Sequence, residues 1–240
     1  MTNPLVSLIT IVFNGEKHLE KTIRSVLAQD YPNIEYIVID GGSSDSSVSI
    51  IRSFEDKIAY WISEPDKGIS DAINKGIKAS KGELIGLINS DDWLEPNAIE
   101  NVMKAYEPNT ILYGDVSFWV NGTKTRSTHS NHNRLREGMT LAHPAVYVPK
   151  KFYETFGNFN TNYKVAMDYD MLLRLYMNKL PFKNINCVLV NMNLGGISDK
   201  RWLLGIKEEL RSKNIYFNRL ANLYYFMKQF TYLFLQRLFR

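Results

Sequence analysis

A single cysteine, Cys187, among 240 residues leaves no partner for an internal disulfide and too few thiolates for a cysteine zinc cage. A reducing cytoplasm is the expected setting. No uncharged apolar run approaches the ~20 residues that a membrane-spanning helix needs. The opening stretch, MTNPLVSLITIVFN, has no basic residue ahead of its short apolar run, so a strand is expected there and not a secretion signal. Neither charge sign dominates: 29 Lys and Arg oppose 25 Asp and Glu, a net +4 that does not call for nucleic acid. Repeats and low-complexity segments are lacking too, and 45% hydrophobic residues suffice for a packed core. One absence is local: between Leu210 and Arg240 there is no Asp or Glu.

What is present is a regular alternation. Residues 5–13 (LVSLITIVF) read as a buried strand stopped by Asn14-Gly15. Residues 16–29 place Leu19, Ile23, Val26 and Leu27 on one helical face, with Pro32 closing the unit. A second strand is expected at 34–39, a helix at 46–54, a third strand at 58–62, a helix at 69–80 and a fourth strand at 84–88. This spacing predicts an α/β fold with a mixed, mainly parallel sheet and helices on both faces. Beyond it, 111–120 and 123–128 alternate around Asn121-Gly122, a strong hairpin turn. A helix is expected at 168–178, a short strand at 188–192, and helices over the last 40 residues.

The predicted strands end in polar clusters: Thr10 with Asn14, Asp40 with Gly41-Gly42, Glu64 to Gly68, and Asn89-Ser90-Asp91-Asp92. Each suits an ordinary βα turn. In a parallel sheet, however, all four tips share one edge, where ligands collect.

These stretches carry a resemblance. SLITIVFNGEKHLEKTIRSVLAQDYPNIEYIVIDGGSSDSS, followed by SEPDKGISDAINKGIKASKGELIGLINSDD, resembles the family 2 glycosyltransferases with the Rossmann-like GT-A fold. It is most similar to the bacterial branch that builds exopolysaccharide, colanic-acid-type polymers and O-antigen. The resemblance continues, more thinly, through HPAVYVPKKFYETFGNFN, MDYDMLLRL and GGIS.

The resemblance implies an inverting enzyme that moves a sugar from a UDP-sugar to a saccharide acceptor, one carried on a lipid. Residues 1–205 would form the transferase domain, with a nucleotide-binding half (1–95) and an acceptor half (96–205). Thr10, Asn14 and Glu16 would meet the nucleoside. Asp40 would accept from the uracil N3–H, or else hold Gly41-Gly42 in an Asx turn. Asp66 belongs to the same cluster, and Asp71 and Asn74, three residues apart, would face the nucleotide from one helix. The family's Asp-x-Asp reads here as Asn89-Ser90-Asp91, so Asp91 would hold Mg²⁺ or Mn²⁺ and Asn89 and Ser90 would touch the donor. Asp92 would join the metal ligands or orient the acceptor, or else cap a following helix. Asp168 would be the general base, with an N-terminal helix acid as the competing reading, and Asp170 projects about 200° away from it. Trp93 would stack on a sugar, or pack in the core, and His143 would contact the acceptor or the diphosphate, or be structural. Gly195-Gly196-Ile197-Ser198 would be a lid, or a plain turn.

The C-terminal segment, 206–240, is acid-free from Leu210 on, basic and aromatic: Arg211, Lys213, Arg219, Lys228, Arg237 and Arg240 alternate with Tyr and Phe. It reads as an interfacial helix on an anionic membrane, placing the enzyme peripherally at the inner face of the plasma membrane. Packing on the core, or a homodimer contact, is the alternative. Two rival functions are a sugar nucleotidyltransferase, whose glycine-rich triphosphate loop is missing from TIVFNGEKH, and an inactive nucleotide-sugar-binding subunit, which Asn89 would suit.

Overall fold

The computed structural model describes residues 3–238. Phe239 and Arg240 of the basic tail therefore lie outside the described residues. The donor-side alternation is found as expected. Strands β1 (Val6–Val12), β2 (Ile34–Asp40), β3 (Tyr60–Ser63) and β4 (Leu84–Asn89) are connected by helices α1 (Glu16–Leu27), α2 (Ser47–Arg52) and α3 (Ile69–Ala79). They pair in parallel in the order β3-β2-β1-β4. Strand β1 shows why the run is apolar on both faces. Val6, Leu8 and Val12 pack with Leu19, Ile23 and Val26 of α1, while Ile9 packs with Ala72, Ile73 and Ile77 of α3. Each such fully buried aliphatic side chain contributes roughly 1.5–3 kcal/mol.

The second half completes one mixed sheet. Strand β5 (Trp93–Leu94) and helix α4 (Ala98–Lys104) precede the hairpin β6 (Ile111–Val120) and β7 (Thr123–Thr128). Asn121 and Gly122 both have positive φ, 49° and 80°, as the two-residue turn requires. Strand β8 (Val146–Pro149) lies antiparallel between β4 and β6, and β9 (Phe182–Asn193) runs parallel to β6 and antiparallel to β5. The order is β3-β2-β1-β4-β8-β6-β9-β5. Since β5 follows β4 after three residues yet ends the far side of the sheet, the sheet curls until that edge stands beside the β4 tip.

Helices α5 (Lys150–Phe156) and α6 (Met167–Met177) cover this half, and the chain closes with α7 (Ile197–Lys200), α8 (Trp202–Tyr216) and α9 (Arg219–Leu238). The strand expected at 188–192 is the second half of the longer β9, whose first half, FKNINC, is too polar to announce itself. The 205/206 boundary falls inside α8, whose Ile206 is buried.

Candidate functional site

At the tip of β4 the chain turns tightly, Asp92 N–H donating to the Asn89 carbonyl (3.1 Å). Thr22 of α1 fastens this turn by donating to the Ser90 and Asp92 carbonyls. Asp92 is 2% exposed, and its carboxylate accepts from Asn89 Nδ2 (2.9 Å) and the Asn193 N–H (3.2 Å). It does not cap α4, which begins six residues later behind Asn97. Asp91 projects differently. Among the described residues no side chain donates to its carboxylate, while Asn193 Nδ2 holds its carbonyl (2.6 Å). Burial raises the Asp91 carboxyl above its ordinary range, and burial plus the Asp91 charge raises Asp92 further.

Two adjacent carboxyls, one of them met by no side-chain donor among the described residues, favour a cation. The described residues contain no group of three or more His, Cys, Asp or Glu suited to a metal. A shared site does not require one: Mg²⁺ or Mn²⁺ bound through a single carboxylate takes its remaining oxygens from phosphate and water. Asp91 fits that donor set.

The neighbouring tips are strongly cross-linked. Asn14, in the left-handed region at φ 51°, accepts from the Ser44 N–H and gives its own N–H to Ser43 Oγ. Glu16 accepts from the Ser46 N–H (2.9 Å). Asp40 is wholly buried, and its carboxylate accepts from the Gly42 and Ser43 N–H groups and the Ser43 and Ser63 hydroxyls. The Asx-turn alternative is therefore the arrangement seen. A Cβ on Gly41 would collide with Asp66 Oδ2, so glycine is what allows the Asp66 loop to close on the β2 tip. Asp66 and Asp71 cap that loop, accepting from the Gly68 and Lys67 N–H groups.

Some expected residues stand elsewhere. Thr10 is fully buried beneath β1 and accepts from the Tyr36 hydroxyl (3.0 Å), so it serves the core. Asn74 does not look at the β tips. Its amide exchanges two 2.9 Å bonds with the backbone of Phe159, clipping α3 to the FGNFN turn. His143 is buried edge-on to Phe159 (5.4 Å), with Nε2 unpartnered. Burial lowers its pKa to about 4, so it is a neutral core residue. Trp93 is half-buried, 5.3 Å from Trp119, and the Lys21 ammonium sits 2.9 Å above its ring.

Asp168 lies in the first turn of α6 and accepts from the Tyr169 N–H (2.7 Å). Burial raises its pKa to about 6, with Glu208 adding in the same direction. Asp170 is committed elsewhere, accepting from Ser212 Oγ (3.0 Å) and pairing with Arg174. Glu208 of α8 accepts from three consecutive N–H groups, those of Lys164, Val165 and Ala166, at 2.9 Å each. It thereby satisfies the otherwise unmet donors of the loop entering α6. Sequence reasoning overlooked Glu208. The available signal was a Glu208-Glu209 pair directly ahead of the acid-free tail.

Between the loops lies a cavity of about 130 Å³ lined by Lys67, Ser70, Tyr163, Lys164, Ile197 and Arg201 among others. The GGIS segment forms part of its rim: Gly195 has φ +100°, and a Cβ on Gly196 would lie 3.9 Å from Asp91 Oδ2. This segment brings Asp91 and the cation-lined cavity into one neighbourhood. Lys164 and Arg201 also escaped the sequence reading.

A family model, Glycosyl transferase family 2, matches residues 7–175. The chain belongs to that family. An uncharacterized glycosyltransferase of Mycobacterium tuberculosis is 32% identical over 216 residues, covering 87% of this chain and 82% of the relative. Among solved structures, Staphylococcus aureus TarS 1–349 in complex with UDP-GlcNAc aligns with a TM-score of 0.68 at 15% identity, covering 94% of this chain and 71% of that one. The mannosyltransferase PcManGT of Pyrobaculum calidifontis, in complex with GDP-Man and Mn²⁺, aligns at 0.70 and 17% identity, covering 97% and 70%. The fold of this glycosyltransferase is GT-A, as the sequence led one to expect.

Proposed function

We propose that the chain is an inverting, metal-dependent hexosyltransferase that moves a sugar from a UDP-sugar to a saccharide acceptor carried on a lipid, in surface polysaccharide synthesis at the inner face of the plasma membrane. The reading rests on two carboxylates: Asp91 at the β4 tip, to which no side chain among the described residues donates, and Asp168 at the α6 start, whose pKa burial raises. Family membership supports the transferase class, and the donors bound by TarS and PcManGT support a nucleotide sugar.

In this reading residues 1–95 bind the nucleotide and 96–205 the acceptor. Asp91 would hold Mg²⁺ or Mn²⁺, which supplies charge stabilisation to the departing diphosphate. Lys67, Lys164 and Arg201 add cationic charge on the same side. Asn14 and Glu16 brace the loop against which the nucleoside lies, and Asp40 keeps that loop rigid. An acceptor sugar stacks beside Trp93. Asp168 takes the proton of the acceptor hydroxyl as its oxygen forms the new bond to the anomeric carbon. The bond from that carbon to the diphosphate breaks on the opposite face, and nucleoside diphosphate leaves. A carboxylate with pKa near 6 is ionised at neutral pH yet more basic than an exposed Asp, which suits a general base.

Calorimetry with UDP and Mn²⁺, then a UDP-release screen with UDP-glucose, UDP-galactose, UDP-GlcNAc and UDP-GalNAc, tests the proposal. UDP binding with donor-dependent release supports it. Absence of UDP binding overturns it, and binding without turnover on any acceptor favours an inactive binding subunit.

A further inference from the structure

Helix α9 has two unlike sides. Its inner side packs against α7 and α8. Asn222 is buried, Gln229 donates to the Glu209 carboxylate, Phe230 packs on Trp202 (5.7 Å), and Arg237 pairs with Asp199 (3.1 Å). On the outer side Leu220, Leu223, Tyr224, Met227, Phe234 and Leu235 are all exposed, from 45% at Phe234 to 79% at Leu220. At 100° per residue these six fall within an arc of roughly 120°, along a helix about 30 Å long. Large apolar side chains gathered on one side of a surface helix, with the exposed Thr231 among them, mark an interaction face.

Charge decides between its occupants. The exposed Arg219 and Lys228 flank the row, and no acid occurs anywhere from Leu210 to Arg240. A second α9 laid on the first would bring cations to cations with no carboxylate on either helix to offset them. An anionic lipid surface meets both requirements, taking up the apolar row and neutralising its rim. Nor is this a buried span, since no described helix is long and apolar enough to cross a membrane.

We infer that α9 lies in the plane of an anionic bilayer, with its Leu220–Leu235 face sunk into the interface and Arg219 and Lys228 at the headgroups. This deepens the peripheral placement proposed above by naming the surface responsible. The same helix meets α7 through Arg237 and Asp199, and Trp202 through Phe230, from its inner side.

Sedimentation of the full chain with phosphatidylcholine vesicles, with and without phosphatidylglycerol, tests the inference. Co-sedimentation is expected only with the anionic vesicles. Arg219→Gln with Lys228→Gln is expected to weaken partitioning roughly 30-fold, at about one factor of five for each cation. Leu223→Glu with Met227→Glu is expected to abolish it. Both pairs are exposed, and unchanged thermal unfolding and UDP affinity of the variants separate a docking defect from misfolding or a misread nucleotide site. Absence of partitioning, equal binding to neutral vesicles, or unimpaired binding by the Glu variant overturns the inference. So does a vesicle-free dimer that the Glu variant dissociates, which would assign the face to a second copy.

Discussion

Replacing Asp168 by Asn separates what the residue does for chemistry from what it costs the fold. In the folded chain burial holds the carboxyl near pKa 6, against 3.8 for an unburied Asp. The folded state therefore binds a proton more tightly than the unfolded chain, and stability falls as pH rises through the window from about 4 to about 6. Above that window the ionised carboxylate costs on the order of 3 kcal/mol, at 1.36 kcal/mol per pH unit. Asn keeps an oxygen for the Tyr169 N–H and carries no charge, so Asp168→Asn is expected to unfold several degrees higher than the parent at pH 8. At pH 4 the two should melt together, because the parent is then protonated. Transfer should fall by at least 10²-fold while UDP affinity stays nearly constant, since general-base catalysis is lost and the donor site is untouched. In the parent, kcat/KM should rise with pH through about 6 and then level off. The assays are thermal unfolding across pH, UDP calorimetry and UDP release. A melting difference that does not change with pH would refute the burial reasoning, and retained turnover or a large loss of UDP affinity would refute the role.

Asp91→Ala should remove the metal dependence of UDP binding: affinity with Mn²⁺ drops at least tenfold, while affinity in EDTA is unaltered, both read by calorimetry. Asn74→Ala deletes both bonds to the Phe159 backbone and leaves two buried groups unmet, costing about 2–4 kcal/mol by denaturant unfolding, with KM for acceptor rising more than KM for donor.

The first four strands were legible because a parallel strand covered on both faces must be apolar along its length, and the intervening helices carry a clear one-sided stripe. The later strands were harder. β5 has two residues and β8 four, too few for any period to register, and β6 against β9 is interrupted by register shifts around Asp115. Within the site, Asp91 and Asp168 were reached through the family resemblance, at the motif positions Asn89-Ser90-Asp91 and MDYDMLLRL. The tasks of Asn74 and Glu208 are set by partners 85 and 42 to 44 residues away, which no local pattern encodes. Thr10 misled for the opposite reason. Its place near a strand tip suggested a ligand, whereas strand alternation turned it inward toward Tyr36.

Glu208 sits 33 residues past the last position matched by the family model, yet it closes the loop that aims Asp168. The stretch that the family model matches therefore leaves the donors of the loop entering α6 unmet by itself. A fragment cut at residue 175 would keep the donor-side strands and lose the clasp on the loop that leads to Asp168. Grafting a relative's tail onto this sheet would replace the acid that anchors the turn before Asp168 and leave the four donor-side strands as they are.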